Sequence, residues 1–239
     1  MENPFIRTEL LLGKKAMEKL NNSSVCIFGV GGVGSYCVEA LVRSGIGSIT
    51  VIDNDTISIS NINRQLIALN SNIGEYKVDV IEKRIKDINP NCVVDKYKLF
   101  YLPETKDEID FSKFDYIIDC IDTISAKIQI IEKAKENNKL VISSMGTGNK
   151  LDPQSFKVCD ISKTDVDPLA RVMRYELRKR NIKNVKVVYS TEKPIDIENK
   201  MINEETKKVV PASNAFVPAS AGLLIAREVI LDLINEEKE

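Results

Sequence analysis

The amino-acid sequence predicts an α/β fold, with a mainly parallel sheet, helices on both faces and antiparallel strands extending its C-terminal half. Three observations carry this. Apolar runs of strand length alternate with helical patterns from Val25 to Ser144. A glycine turn separates the first strand from the helix after it, so strand, turn, helix and strand fit within ~30 residues, a βαβ unit that requires a parallel sheet. The 239 residues are 43% apolar and 29% charged, which suits one sizeable core under a solvated surface. Together these make the pattern Rossmann-like.

Leu10–Leu20 reads as a short amphipathic helix ended by the Asn21–Ser24 turn. Val25–Phe28 is a buried strand, Val33–Ser44 a helix and Ser48–Ile52 a second strand. Val78–Ile88 is helical and Pro90 stops it; Cys92–Tyr97 and the uniformly apolar Tyr116–Ile121 are the third and fourth strands. Ala126–Asn137 is a helix and Leu140–Ser144 the next strand. Beyond Gly148 the alternation loosens. Phe156–Ile161 and Val185–Ser190 read as strands, Pro168–Arg180 as a basic helix, and Gly222–Ile234 as a closing apolar helix. The charged stretch Glu192–Val210 is expected to be a mobile loop. One domain spanning residues 1–239 is expected, with a nucleotide-binding half at 1–150 and a substrate-side extension at 151–239.

Composition narrows the chemistry. The chain has no histidine, and none of its five cysteines forms a C-x-x-C pair. The usual zinc spacings and any Ser–His or Cys–His catalytic pair are therefore excluded. Proton transfer is left to Asp, Glu, Lys, Tyr, water or the substrate. An odd number of cysteines without a signal segment reads as reduced thiols in a cytoplasmic protein. The weakly polar stretch Ala215–Ala226 contains Pro218 and falls short of the ~20 apolar residues that span a bilayer, so no membrane span is expected. Net charge is −1, so no global basic field points to nucleic acid, although a local patch can.

Gly29-Val-Gly31-Gly32-Val-Gly34 fits G-x-G-x-x-G between a strand and a helix. Such glycines allow a tight turn and close approach of phosphate to backbone amides, at a helix end carrying partial positive charge. Asp53 follows about 20 residues on, at the end of the next strand, where an acid accepts hydrogen bonds from ribose hydroxyls. The bland alternative is glycines that serve helix–strand packing alone. A nucleotide is implied, without saying which.

Further residues distinguish among nucleotides. Asn61, Asn63, Arg64 and Gln65 follow the ribose acid, where arginine and amide groups can clamp phosphates. Lys77 opens a helix, where the dipole disfavours a cation, so it is expected to reach across to an anion. Asp119 and Asp122 close the fourth strand at the edge where open α/β sheets bind ligands. Asp122 can hold Mg²⁺ bridging ATP phosphates, or can cap the following helix. Lys127 is placed in the same site. Arg64 or Lys77 taken singly would read as a solvated surface charge. Taken jointly, these residues favour ATP. A nicotinamide-dependent oxidoreductase would leave Arg64, Lys77 and Asp122 idle, and a non-catalytic scaffold has no need of them.

The run Gly29–Gly34, Asp53, Asn63-Arg64-Gln65, Lys77 and Cys120-Ile-Asp122 resembles the ubiquitin-activating, molybdopterin- and thiamine-adenylyltransferase superfamily over residues 5–150. The resemblance implies ATP- and Mg²⁺-dependent adenylation of a carboxylate, with Asp53 on ribose, Arg64 and Lys77 on phosphates and Asp122 on magnesium. It also implies that an N-terminal arginine, here Arg7, completes the partner subunit's site in a homodimer. Two departures matter. The C-x-x-C zinc pairs are absent, and no reactive-looking cysteine follows Cys159, so thioester chemistry is not expected.

The C-terminal half narrows the resemblance. Ser143–Pro153, Asp160-Ile-Ser-Lys-Thr164, Asp167-Pro168, Tyr189-Ser-Thr-Glu192 and Pro211–Pro218 resemble the tRNA threonylcarbamoyladenosine dehydratase family. That implies ATP-dependent cyclisation of a modified adenosine beside the anticodon. A monovalent cation near the Gly146–Gly148 loop is implied too, and whether a sulfur-relay protein docks stays open. Arg171, Arg174, Arg178, Lys179 and Arg180 are the expected tRNA contacts, the first three on one helical face; the bland alternative is a solvated helix face. Adenylation of a ubiquitin-like or sulfur-carrier protein tail is the rival activity. Ser143 and Ser144, with no base beside them, are read as strand-end structure.

Overall fold

The computed structural model describes residues 3–202 and 209–235. Seven strands form one sheet: β1 (Ser24–Phe28), β2 (Ser48–Ile52), β3 (Val93–Tyr97), β4 (Tyr116–Asp119), β5 (Leu140–Ser144), β6 (Phe156–Asp160) and β7 (Lys186–Ser190). Their order is β3-β2-β1-β4-β5-β7-β6. Every neighbouring pair is parallel except β6 with β7, the antiparallel extension expected in the C-terminal half.

Helices α3 (Gly34–Arg43), α4 (Lys77–Ile88) and α7 (Phe216–Asn235) cover one face, and α5 (Ile124–Glu136) and α6 (Pro168–Lys179) the other. Central strands are buried on both sides, which is why β1, β2 and β4 read as unbroken apolar runs. Side chains of opposite pleat therefore enter two separate cores. Val25, Ile27 and Ile118 join the first, and Cys26, Phe28 and Ile117 the second.

Two expectations are corrected. The single helix expected over Leu10–Leu20 is two helices, α1 (Ile6–Leu12) and α2 (Lys14–Asn21), because Gly13 adopts φ +87° and breaks the ladder. The closing helix begins at Phe216 rather than Gly222. Pro218 falls in its first turn, where the missing N–H has no partner to lose. The Asn214 carboxamide caps it, accepting from the Val217 amide at 2.9 Å. Within Glu192–Val210, positions 203–208 lie outside the described residues; the remainder carries only a bridge between Ile202 and Val209. No described helix is long and apolar enough to cross a membrane.

Candidate active site at the β1–β4 edge

The sheet grows outward in opposite directions from β1, with β2 on one side and β4 on the other. The crevice beyond the C-terminal ends of two such strands is where open α/β sheets bind ligands. Here the glycine loop leaves β1 and Asp122 follows β4, so both border it.

The glycines divide into two kinds. A Cβ at Gly34 would lie 1.8 Å from the Gly29 carbonyl oxygen, and one at Gly29, whose φ is +86°, would lie 2.9 Å from Ile121 Cγ2. These two let α3 begin hard against β1 and β4. A Cβ at Gly32 would meet Pro218 Cβ at 3.3 Å. Gly31 is different: a Cβ there would come no nearer than 3.7 Å, to Gln65 Nε2, so packing does not require a glycine. Its bare backbone leaves room for a ligand to approach. Ser35 secures the loop, donating to the Gly31 carbonyl at 2.6 Å and accepting from the Leu66 amide at 3.2 Å.

Asp53 stands beside this loop. Its carboxylate accepts from the Val30 amide at 2.8 Å and the Asp55 amide at 2.9 Å. Burial raises its pKa, and the Lys77 charge and the two amides offset that only in part. A carboxylate offers about four acceptor positions, so two fixed amides leave capacity for ribose hydroxyls.

Lys77 opens α4 as expected, with 5% of its surface exposed. The anion it reaches is Asp55, at 2.6 Å. Arg64 lies over the glycine loop, its Cγ 3.5 Å from where a Gly32 Cβ would sit. Its Nη1 donates to the Ser60 carbonyl at 2.8 Å and to Asn63 Oδ1 at 2.9 Å, leaving Nε and Nη2 without a partner among the described residues. Asn63 donates to the Ser213 carbonyl at 3.1 Å, tying this segment to the approach to α7. Asn61 is buried, and its Oδ1 accepts from the Ser58 amide at 3.1 Å, so its side chain shapes the turn that presents Arg64. Gln65 is also buried, and its Oε1 has no partner among the described residues.

Asp122 is exposed and has no hydrogen-bond or ion-pair partner among the described residues. Thr123 holds the N-cap position of α5, so the capping alternative for Asp122 fails. Lys127 is fully buried, with Nζ 2.9 Å from Asp119 Oδ2 and 3.0 Å from the Ile121 carbonyl. It does not reach the crevice surface; it pins the segment that leads to Asp122. Ser143 donates to the same Asp119 oxygen at 2.6 Å, and Ser144 is bonded to the Met145 carbonyl, so both serines serve the strand end. Arg7 is exposed on α1 without a partner among the described residues.

The Gly146–Gly148 loop is closed by a second buried pair. Lys150 Nζ donates to the Gly146 carbonyl and to Asp167 Oδ2, both at 2.6 Å, and both side chains are 1% exposed. Asp167 Oδ1 in turn caps α6 through the Ala170 amide at 2.8 Å. Asn149 and Glu192 bind the backbone of Ala212 and of Leu151 and Asp152.

The basic helix α6 differs from the expected stripe. Arg171, Arg178 and Lys179 are exposed and have no partner among the described residues. Arg174 is turned inward, bonded through Nη1 to the carbonyl and hydroxyl of Thr164. Arg180 is engaged by Glu132 and Glu176. Burial raises the thiol pKa of Cys26, Cys37 and Cys159, and that of Cys92 to about 11, which disfavours their thiolate forms.

Sequence reasoning misses Asp55, Ser35 and Asn214. Asp55 is signalled by its place two residues after Asp53, and Asn214 by its spacing ahead of an apolar helix. Nothing local marks Ser35.

The fold and the crevice define a candidate nucleotide site on a Rossmann-like α/β sheet, and the chain belongs to the ThiF family, whose model matches residues 6–238. Within that family it groups with the tRNA threonylcarbamoyladenosine dehydratases. It is 46% identical to the Bacillus subtilis enzyme of that name, over 99% of this chain and 96% of that protein. The Haemophilus influenzae enzyme is 36% identical over 93% and 90%. The crystal structure of the Escherichia coli tRNA N6-threonylcarbamoyladenosine dehydratase in complex with ATP superposes with a TM-score of 0.87 at 31% identity, covering 97% of this chain and 93% of that one.

Proposed function

We propose that this chain is an ATP-dependent tRNA threonylcarbamoyladenosine dehydratase. It adenylates the side-chain carboxylate of that nucleoside with release of pyrophosphate, and ring closure then expels AMP. The observation that carries this reading is the convergence of Gly31, Asp53, Arg64, Lys77 and the unpartnered Asp122 on one crevice, in a chain that aligns from end to end with enzymes of that name.

The residues divide the work. Asp53 orients the ribose. Backbone amides at the α3 N-terminus, with Arg64 and Lys77, hold the phosphates and stabilise charge developing during transfer. ATP supplies the adenylyl group that makes a carboxylate oxygen part of a good leaving group. A single exposed carboxylate suits Mg²⁺, which takes one or two protein oxygens and fills its shell with phosphate and water; Asp122 would hold it. Ring closure uses a nucleophile already within the modified nucleoside, whose effective molarity is on the order of 10⁵ M or more. No enzyme thiol or imidazole is required, in keeping with a chain that lacks histidine.

The enzyme works as a cytoplasmic homodimer. Arg7 is carried on α1 beside Leu10 and Leu11, which are 80% and 83% exposed, an apolar face suited to a second copy whose site Arg7 would complete. At the Gly146–Gly148 loop the Gly146 carbonyl already accepts from Lys150, so a monovalent cation there would share that oxygen. On α6, Arg171, Arg178 and Lys179 hold tRNA phosphates, while Arg174 braces Thr164.

ATP–pyrophosphate exchange tests the reading. Exchange should need tRNA carrying threonylcarbamoyladenosine, and Asp122→Ala should abolish it with the fold intact. Normal exchange in that variant would overturn the magnesium assignment. Exchange stimulated by a sulfur-carrier tail and not by tRNA would overturn the substrate.

A further inference from the structure

Tyr175 is 66% exposed on α6 and makes no hydrogen bond or ring contact with any described residue. The helix buries Ala170, Met173 and Leu177, so its packing needs are met on the other face. Tyr175 lies four residues after Arg171 and three before Arg178, which places the three side chains in one outward row. At 1.5 Å rise per residue the row is about 10 Å long. Val172, 37% exposed, lies beside it. Among the described residues, neither the ring nor the two guanidinium groups flanking it has a partner.

We infer that Tyr175 is a stacking platform for an unpaired nucleobase, with Arg171 and Arg178 holding the phosphates on either side of it. The inference rests on the reading of the substrate as tRNA and adds a base contact to it. Single-stranded loops, unlike duplexes, expose base faces, and aromatic side chains are the usual surface on which such bases stack. The row is also tied to the reaction centre. Asp167 both caps the first turn of α6 and grips Lys150, which holds the Gly146 carbonyl just past the end of β5. A loop laid along α6 is thereby registered to the crevice edge. Positive charge without a partner among the described residues, in a chain of net charge −1, together with a ring between the two arginines, favours RNA over an acidic protein surface, because a base can stack on the ring while the arginines hold phosphates.

The chain contains no tryptophan, so Tyr175→Trp creates a unique fluorophore. Its emission should be quenched when tRNA binds the full-length protein. Tyr175→Ala should weaken tRNA affinity about tenfold, the scale of one base–aromatic stack, without changing the salt dependence. Tyr175→Phe should keep wild-type affinity. Arg178→Ala should lower the salt slope by roughly 0.7–0.9, the signature of one phosphate contact. Unquenched emission from the Tyr175→Trp variant in a tRNA complex, or equal losses in the Phe and Ala variants, would overturn the stacking role. Wild-type protein that fails to bind tRNA at all would instead remove the substrate reading beneath it.

Discussion

Lys127 Nζ and Asp119 Oδ2 face each other at 2.9 Å, and both side chains are wholly buried beneath the edge that carries Asp122. The lysine also donates to the Ile121 carbonyl, and the carboxylate also accepts from Ser143, so the pair fixes the chain between the end of β4 and the start of α5. The charge lies under the site rather than in it.

Lys127→Met should therefore act on stability. Removing one partner leaves Asp119 buried and uncompensated, a loss of about 3–5 kcal/mol, and adding Asp119→Asn should recover most of it. Denaturant unfolding reads both effects. A Lys127→Met protein of normal stability that no longer binds ATP would return the lysine to the phosphate site.

The glycine loop offers a paired test. Gly34→Ala should destabilise the protein strongly, because its methyl would be driven into the Gly29 carbonyl. Gly31→Ala has free space and should fold normally, yet weaken ATP binding about tenfold or more by obstructing approach to the backbone. Thermal melts and ATP titration separate the two. Equal melting losses in both variants would leave the loop with a packing role only.

The pH dependence of ribose binding follows from Asp53, whose pKa burial raises against the pull of Lys77. Ionised Asp53 costs folding stability once the pH exceeds its raised folded pKa, and that cost vanishes below the unfolded value of about 3.9. Ribose hydroxyls donate to the ionised form, so adenosine affinity should fall as the pH drops through the raised pKa. Lys77→Met removes an opposing charge and should move that acid limb to higher pH. Adenosine carries no phosphate, so its affinity reports Asp53 without the lost phosphate contact. An unmoved limb would contradict the coupling.

Much of this is legible in the sequence, for identifiable reasons. β5 reads correctly residue for residue, because a short apolar run between the Asn137–Asn138 turn and the Gly146–Gly148 loop has few alternatives. The glycine loop, Asp53 and the position of Lys77 at a helix start are local patterns, and the structure places them as read. Tertiary arrangements are not legible. Helical periodicity puts Arg174 in a row with Arg171 and Arg178, yet Thr164, folded back after β6, draws it inward. Sequence assigns Lys127 to the site because its partner Asp119 becomes buried only when β4 is flanked by β1 and β5. Gly13 sits in an amphipathic pattern that continues on both sides, so the break between α1 and α2 depends on its backbone angle alone.

The most direct test of the central claim is nucleoside mass spectrometry of tRNA bearing threonylcarbamoyladenosine, incubated with this protein and Mg²⁺, with and without ATP. The nucleoside should lose one water only when ATP is present. An unchanged mass, in a sample shown to bind ATP, would contradict that claim.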